Sequence, residues 1–404
     1  MNTGDTAFML IATAMVMLMT PGLALFYGGM VRSKNVLATI MQSFLCLGIV
    51  SILWVLFGYS LAFGPDVKGL IGDLSWAGLQ GVGTTPGSYA PTIPHLLFCA
   101  FQLMFAVITP ALITGAFAER IKFTAYLAFT VLWTTLVYFP ICHWVWGGGW
   151  MGAHGGMDFA GGTVIHINSG AGALVAALMV GKRQGWGREP FHPHNLGMTL
   201  LGAGILWFGW FGFNAGSALS AGEIATVAFF TTQIASGAAA VSWIVMEWLT
   251  QGRPTTLGAA SGAVAGLATV TPAAGFIGPV SAILIGMIAG LVCYFMVSLI
   301  KNTIALDDSL DVVGIHGVGG VIGTICLGLF ASKAVNPSGA DGLFAGNPGF
   351  LGTQIFGVMV VAAYAFVVSW VLLKIIDATM GLRVSAENEV TGLDLSEHSE
   401  TAYN

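Results

Sequence analysis

Two histidines lie in apolar runs, 161–181 and 312–330, that hold no Asp, Glu, Lys or Arg. DFAGGTVIHINSG places Asp158 eight residues before His166, and DSLDVVGIHGVGG places Asp308 eight residues before His316. Both histidines fall inside apolar runs long enough to cross a bilayer. An ionisable group at that depth is costly and marks function by default. The competing reading is a neutral imidazole that fastens two helices with a hydrogen bond of about 1 kcal/mol. Two histidines at matching places favour function, because repeat-built transporters place their substrate sites near the midplane. A charged ring is disfavoured in an apolar interior. Two neutral rings can share one hydrogen bond and still offer a donor or acceptor outward. Such a pair suits a small polar molecule that both donates and accepts, and it can take and pass a proton. An anion fits poorly, since no span interior holds Arg or Lys. A hard metal cation also fits poorly, since no carboxylate cluster lies within a span.

Around the histidines stand other candidates. Asp158, just ahead of its run, reads as a buried cap for the helix start or as a cation attractor. Asp308 and Asp311 read in the same way ahead of theirs. AFQLMFAVITPALI sets Phe101 and Phe105 four apart, on one helix face. GWFGFNAGSA sets Trp210 and Phe213 three apart, with Ser217 four beyond. CHWVWGGGW adds Trp144, Trp146 and Trp150, which composition alone assigns to an interfacial aromatic belt. Ring faces plus a hydroxyl could hold a small cation at about 0.5–2 kcal/mol per contact. From composition alone, ordinary packing is the preferred reading of the same residues.

These side chains need a scaffold, and composition names its class. Of 404 residues 56% are hydrophobic and 8% charged, against about 25% charged in soluble domains. Uncharged runs of about 20 residues recur along the chain, the mark of membrane helices. The start, MNTGDTAF, has no basic region ahead of its first long apolar run, so that run reads as a span and not a removed leader. Eleven spans are expected, at roughly 8–30, 39–63, 95–117, 123–146, 161–181, 196–214, 224–248, 255–271, 276–300, 312–330 and 350–374. The eighth, TTLGAASGAVAGLATVT, is short and rich in small residues, so a re-entrant segment is its alternative. With the N-terminus outside, only Lys68 and Lys333 of the 13 basic residues lie outside. The positive-inside rule therefore supports eleven spans with the C-terminus inside. The fold is expected to be an all-α polytopic membrane protein with an inverted five-plus-five repeat and an eleventh helix. Its transmembrane domain covers 1–376 (first half 8–181, second half 196–330, last helix 350–376). A cytoplasmic tail covers 377–404.

The five cysteines lie in apolar runs at wide spacing and form no metal-ligand pattern, so neither a metal nor another cofactor is expected. The pairs Gly262/Gly266 and Gly286/Gly290 read as close helix contacts. No glycine-rich loop carries the Lys-Ser/Thr of a nucleotide site. The tail is polar and acidic. Its Leu382, Val384, Val390, Leu393 and Leu395 argue that it docks instead of staying solvated.

The segments AFQ…AERI, HWVWGGG, DFAGGTVIHINSG, PHNLGM, GWFGFNAGSA, SGAVAGL, VTPAAG and DVVGIHGVGG follow one another as in the ammonium transporter (Amt/Mep) family of the Amt/Rh superfamily. The ending GLRVSAENEVTGLDLSEHSETAY resembles that family's tail, and the resemblance covers essentially the whole chain. It implies a homotrimer with one pore per subunit in the plasma membrane, the inner membrane of a bacterium. It implies an outer ammonium recruitment site at Trp146, Ser217 and Phe105. It makes Phe105 and Phe213 the rings that close the pore, and His166 and His316 the twin histidines of the conducting tube. Asp158 would be the structural acid beside recruitment, with Trp210, Tyr138 and Thr271 as pore neighbours. It also implies control by a PII-type signal protein at the cytoplasmic face. A Rh-type channel for ammonia or carbon dioxide and an ammonium sensor are the alternatives. A membrane enzyme would need a nucleophile or metal cluster that the sequence does not show.

Overall fold

A computed structural model describes residues 1–403. Eleven helices carry the fold: α1 (Thr3–Met30), α2 (Ser33–Phe63), α3 (His95–Ala116), α4 (Phe123–Ala153, with a turn at 146–149), α5 (Gly162–Val180), α6 (Leu196–Gly216), α7 (Glu223–Gln251), α8 (Thr256–Val270), α9 (Pro279–Thr303), α10 (Val313–Phe330) and α11 (Pro348–Met380). Among the described residues, all but α8 are long and apolar enough to span a membrane. Helix α8 has 15 residues, about 22 Å of helix, short of a hydrocarbon core of about 30 Å. It nevertheless runs through the protein interior, buried at every position from Ala260 to Val270. Its C-terminal end, continuing into the buried Thr271, is therefore sheltered by protein, the condition for irregular backbone at membrane depth, whereas Thr255 and Thr256 at its start are exposed.

Several helices reach further than hydropathy suggests. Helix α1 starts at Thr3, where the Asn2 side chain accepts from the Asp5 amide at 3.1 Å. Helix α11 continues to Met380. Polar caps and polar end turns carry no hydropathy signal, which accounts for the difference.

Wide turns, in which an amide skips to the carbonyl five residues back, recur in matching helices of the two halves, although one, at Trp54–Gly58 in α2, has no counterpart in α7. They occur at Thr134–Tyr138 in α4 and Leu299–Thr303 in α9. They also occur at Gly162–Ile167 in α5 and Val313–Gly317 in α10. Such turns are rare and recur at functional sites. Helix α5 crosses α10 through reciprocal glycines. A methyl at Gly170 would lie 2.2 Å from Gly317 Cα, and one at Gly320 would lie 2.8 Å from His166 Cβ. Each glycine stands four residues after its own half's histidine, so the halves press together where the histidines are. The small-residue pairs also behave as close contacts. Ala235 and Ala239 of α7 are gripped by Gly266 and Gly262 on one side and by Gly286 and Gly290 on the other.

One end of the molecule is tied by buried charge. Arg183 forms ion pairs with Asp307 at 2.8 Å and Glu119 at 3.2 Å, and Arg32 reaches Glu119 at 2.8 Å. Burial alone would raise the Glu119 carboxyl, but Arg183 and Arg32 hold it below its ordinary value. Arg120, fully buried, donates to the carbonyls of Ala116, Ala118, Gly181 and Asp307 and to the Ser309 hydroxyl.

The tail docks on this end through two short helices, α12 (Ala386–Thr391) and α13 (Leu393–His398). Leu382, Val384 and Leu393 are buried, whereas Val390 and Leu395 remain exposed. Acids finish the job. Asp394 accepts from the amides of Leu37 and Ala38 at 3.0 and 2.8 Å, and Glu397 accepts from Phe123 at 3.0 Å. The tail thus caps the starts of α2 and α4.

Candidate functional site: a funnel above paired imidazoles

A cavity of about 720 Å³ opens at one end of the helix bundle, lined by Gln102, Phe105, Trp146, Asp158 and Ser217 among others. Each wall has a local cause. Phe105 and Gln102 face the same way because they are three apart on α3. Trp146 sits where α4 gives way to the glycine turn, and its indole N–H donates to the Asp158 carbonyl at 2.8 Å. The Asp158 carboxylate accepts from the amides of Gly161, Gly162 and Thr163 at 2.7 Å and of Val164 at 3.1 Å. It also accepts from the Thr163 hydroxyl at 2.6 Å. Asp158 therefore caps the wide turn of α5, the structural half of the sequence expectation. Ser217 donates its proton to the Phe213 carbonyl at 2.8 Å, so its oxygen keeps lone pairs free to accept.

Phe105 and Phe213 form the floor. Their centroids are 4.4 Å apart at 39°, and both rings are buried. Trp146 meets Phe105 edge-on at 5.9 Å. Beneath Phe213 the His166 ring follows at 6.3 Å, stacked on Trp210 at 5.6 Å. Trp210 is held in turn by donating its N–H to Thr271 Oγ1 at 2.8 Å. The His166 and His316 rings stack at 5.2 Å, with Nδ1 to Nδ1 at 3.2 Å. One proton shared on that line leaves one ring with a bare Nε2 and the other with an Nε2–H. His166 Nε2 is buried and has no hydrogen-bond partner. The space around the pair is about 10 Å³, walled by Leu23, Leu112, Ile165, Leu206 and Val264. That is roughly the room for one water-sized molecule.

The structure brings together Phe105, Phe213, Trp146, Ser217, Asp158, His166, His316 and Trp210, with Thr271 as the brace behind them. Tyr138 stands apart. It lies on the wide turn of α4, fully buried, and lines neither the funnel nor the constriction. Asp311 differs from its expected capping role: it pairs with Lys301 at 2.6 Å, while Asp308 alone accepts the Val312 and Val313 amides at 3.1 and 2.7 Å. The φ of Asp311, 64°, turns it out of the cap. The sequence reading also passed over Gln102, whose Oε1 is buried without a partner. Its place on the Phe105 face was the available signal. Among the described residues no cluster of three His, Cys, Asp or Glu could hold a metal ion.

A funnel, an aromatic floor and a polar pair inside an apolar constriction, all carried by two interlocked halves, define a helical membrane protein that passes small solutes. The chain belongs to the Ammonium Transporter Family, whose model matches residues 7–403. It is 53% identical to an ammonium transporter of Bacillus subtilis over 403 residues, covering 100% of this chain and 99% of that one. Among solved structures it resembles Saccharomyces cerevisiae Mep2, with a TM-score of 0.90 and 36% identity over 96% of this chain and 88% of that one. A structure described as a sensor Amt protein matches with a TM-score of 0.91 and 30% identity, covering 98% of each chain. This is a family of multi-pass membrane transporters, so the chemistry sought is passage and not enzymatic turnover.

Proposed function

We propose that this chain takes up ammonium by stripping it of its charge between the funnel and the paired imidazoles. The cation is recruited between Trp146, Phe105 and the Ser217 oxygen. There ring faces and a lone pair replace part of its water at about 0.5–2 kcal/mol per aromatic contact. Carrying a full charge to the bilayer centre costs about 3 kcal/mol or considerably more. Losing a proton removes most of that cost, and what remains is small, neutral and able to donate and accept. It slips past Phe105 and Phe213 and hydrogen-bonds the His166–His316 pair, which also offers a route for the released proton. Potassium cannot follow, because it has no proton to lose. Asp158 holds the start of α5, and Trp210, Thr271 and Tyr138 are supporting positions.

The observation that carries the reading is the unpartnered His166 Nε2 in an apolar space of about 10 Å³. A buried polar atom left unsatisfied costs about 1–3 kcal/mol, and a passing ammonia would satisfy it. In proteoliposomes, His166→Ala is expected to preserve folding and to abolish or alter selective methylammonium uptake. Wild-type selectivity in a folded His166→Ala/His316→Ala variant would overturn the role of the pair.

A homotrimer in the plasma membrane and a PII-type partner on the tail-bearing face belong to the same proposal. Exposed Leu10, Leu18, Leu201 and Phe208 on α1 and α6 supply an apolar outer face suited to a second copy. The sensor reading is separated by the same flux assay, since a sensor moves little substrate.

A further inference from the structure

His143, outside the conducting path, occupies an unusual position. Its side chain is completely buried. Its Nδ1 lies 3.0 Å from the Ala62 carbonyl oxygen, and its Nε2 lies 2.9 Å from Asp66 Oδ1. A carbonyl oxygen only accepts, and an ionised carboxylate only accepts. A neutral imidazole has one N–H, so it could satisfy one of these contacts and would set a lone pair against the other.

Asp66 does not supply the missing proton. Its side chain is 40% exposed and its two oxygens also take the Gly69 amide at 2.8 and 2.9 Å. The hydrogen bond from His143 and the Gly69 amide hold the Asp66 carboxyl below its ordinary value. Ala62 lies in the last turn of α2, where unpaired carbonyls favour a cation. Of the groups that meet the ring, one is a carboxylate and the other a helix C-terminus; both select the doubly protonated form.

The position of this ring gives the charge a use. The His143 carbonyl accepts from the Gly147 and Gly149 amides at 3.0 and 2.9 Å, and so shapes the turn that bears Trp146. A methyl at Gly147 would lie 2.6 Å from His143 Nδ1 and 2.0 Å from the Ala62 oxygen, so turn, ring and α2 end are in direct contact. Asp66 belongs to a small hairpin, Asp66–Val67 paired with Ile71–Gly72, that accepts the Trp144 indole N–H at the Leu70 carbonyl. We propose that His143 is a buried imidazolium that locks the hairpin and the α2 end to the Trp146 turn, acting as a positioning residue for ammonium recruitment. This rests on the recruitment reading of Trp146.

The protonation state and the positioning role are tested by separate readouts. In full-length protein carrying nitrogen-15 histidine in lipid bilayers, solid-state NMR at neutral pH is expected to show a ring with both nitrogens protonated. That signal should vanish in His143→Gln. Only neutral rings at neutral pH would overturn the proposal. In Asp66→Asn, at a half-exposed site that spares the fold, the doubly protonated ring signal should be lost at neutral pH. Its persistence at wild-type intensity would overturn the clamp. In methylammonium uptake, His143→Gln is expected to raise the half-saturation concentration about tenfold, or about 1.4 kcal/mol, with the maximal rate retained. An unchanged half-saturation would overturn positioning. If Trp146→Leu leaves half-saturation unchanged while the charged-ring signal persists, the recruitment reading fails and the imidazolium stands.

Discussion

The same device is built twice in this chain and finished differently. In both halves an aspartate caps a wide helical turn, and the turn presents a histidine to the shared constriction. On the funnel side Asp158 accepts five hydrogen bonds. On the other side Asp308 accepts two and is buried beside Asp311. Burial first, and then the charge of Asp311, push the Asp308 carboxyl up to about 7. A carboxylate wrapped in donors is a fixed anchor; one with two donors and a like charge nearby is poised to take up a proton. The funnel, our proposed recruitment site, is served by the rigid copy. The titratable copy lies at the far end, beside the buried Arg183–Asp307–Glu119 network.

The contrast can be broken by substitution, most severely at the anchor. Asp158→Ala strands several buried amides, each worth about 1–3 kcal/mol. A stability loss of at least about 3 kcal/mol is expected in thermal unfolding in detergent. Asp308→Ala is expected to cost less than half as much; equal losses would erase the distinction. The reciprocal glycines come next. Gly170→Ala drives a methyl toward Gly317 backbone, while Gly320→Ala meets His166 Cβ and the Gly162 carbonyl. Both should separate the imidazoles and depress uptake in liposome flux, Gly170→Ala more strongly because its methyl comes within 2.2 Å of Gly317 Cα, against 2.8 Å for the nearest contact of Gly320→Ala.

A pH dependence sharpens the comparison. Folded Asp308 keeps its proton to about 7, whereas its ordinary value is 3.8. Between those values the folded state binds the extra proton, so this residue's contribution to stability falls as pH rises through the window. Asp308→Asn should flatten that slope in unfolding measured across pH. The smallest effect is expected from Thr271→Val, which removes the acceptor for the Trp210 N–H and should cost about 1 kcal/mol with a modest drop in uptake rate.

Much of this was legible in the residues. Spacing alone paired Asp158–His166 with Asp308–His316, because an inverted repeat preserves intervals. Hydropathy and basic residues placed the spans because lipid imposes those patterns. What escaped was set by contacts across the fold. Nothing local marks the wide turns of α5 and α10, which carry the two rings at the helix crossing. Nothing near Arg120 announces that it will bind carbonyls from three separated segments. His143 hid within a run of tryptophans, since the acceptors that define it come from Ala62 and Asp66. Asp311 was misjudged because a cap and a turned-out residue share a sequence pattern, and only the backbone at φ 64° decides between them.

The docked tail has a consequence for how the protein is made. Asp394 supplies the cap to an amide 357 residues earlier in the chain, and Glu397 to one 274 residues earlier. When α2 and α4 leave the ribosome, the acids that complete them have not yet been synthesised. Those two helix starts stay open until translation is nearly over, so arrival of the last segment seals the first ones, and a finished polypeptide differs chemically from an interrupted one at its own beginning.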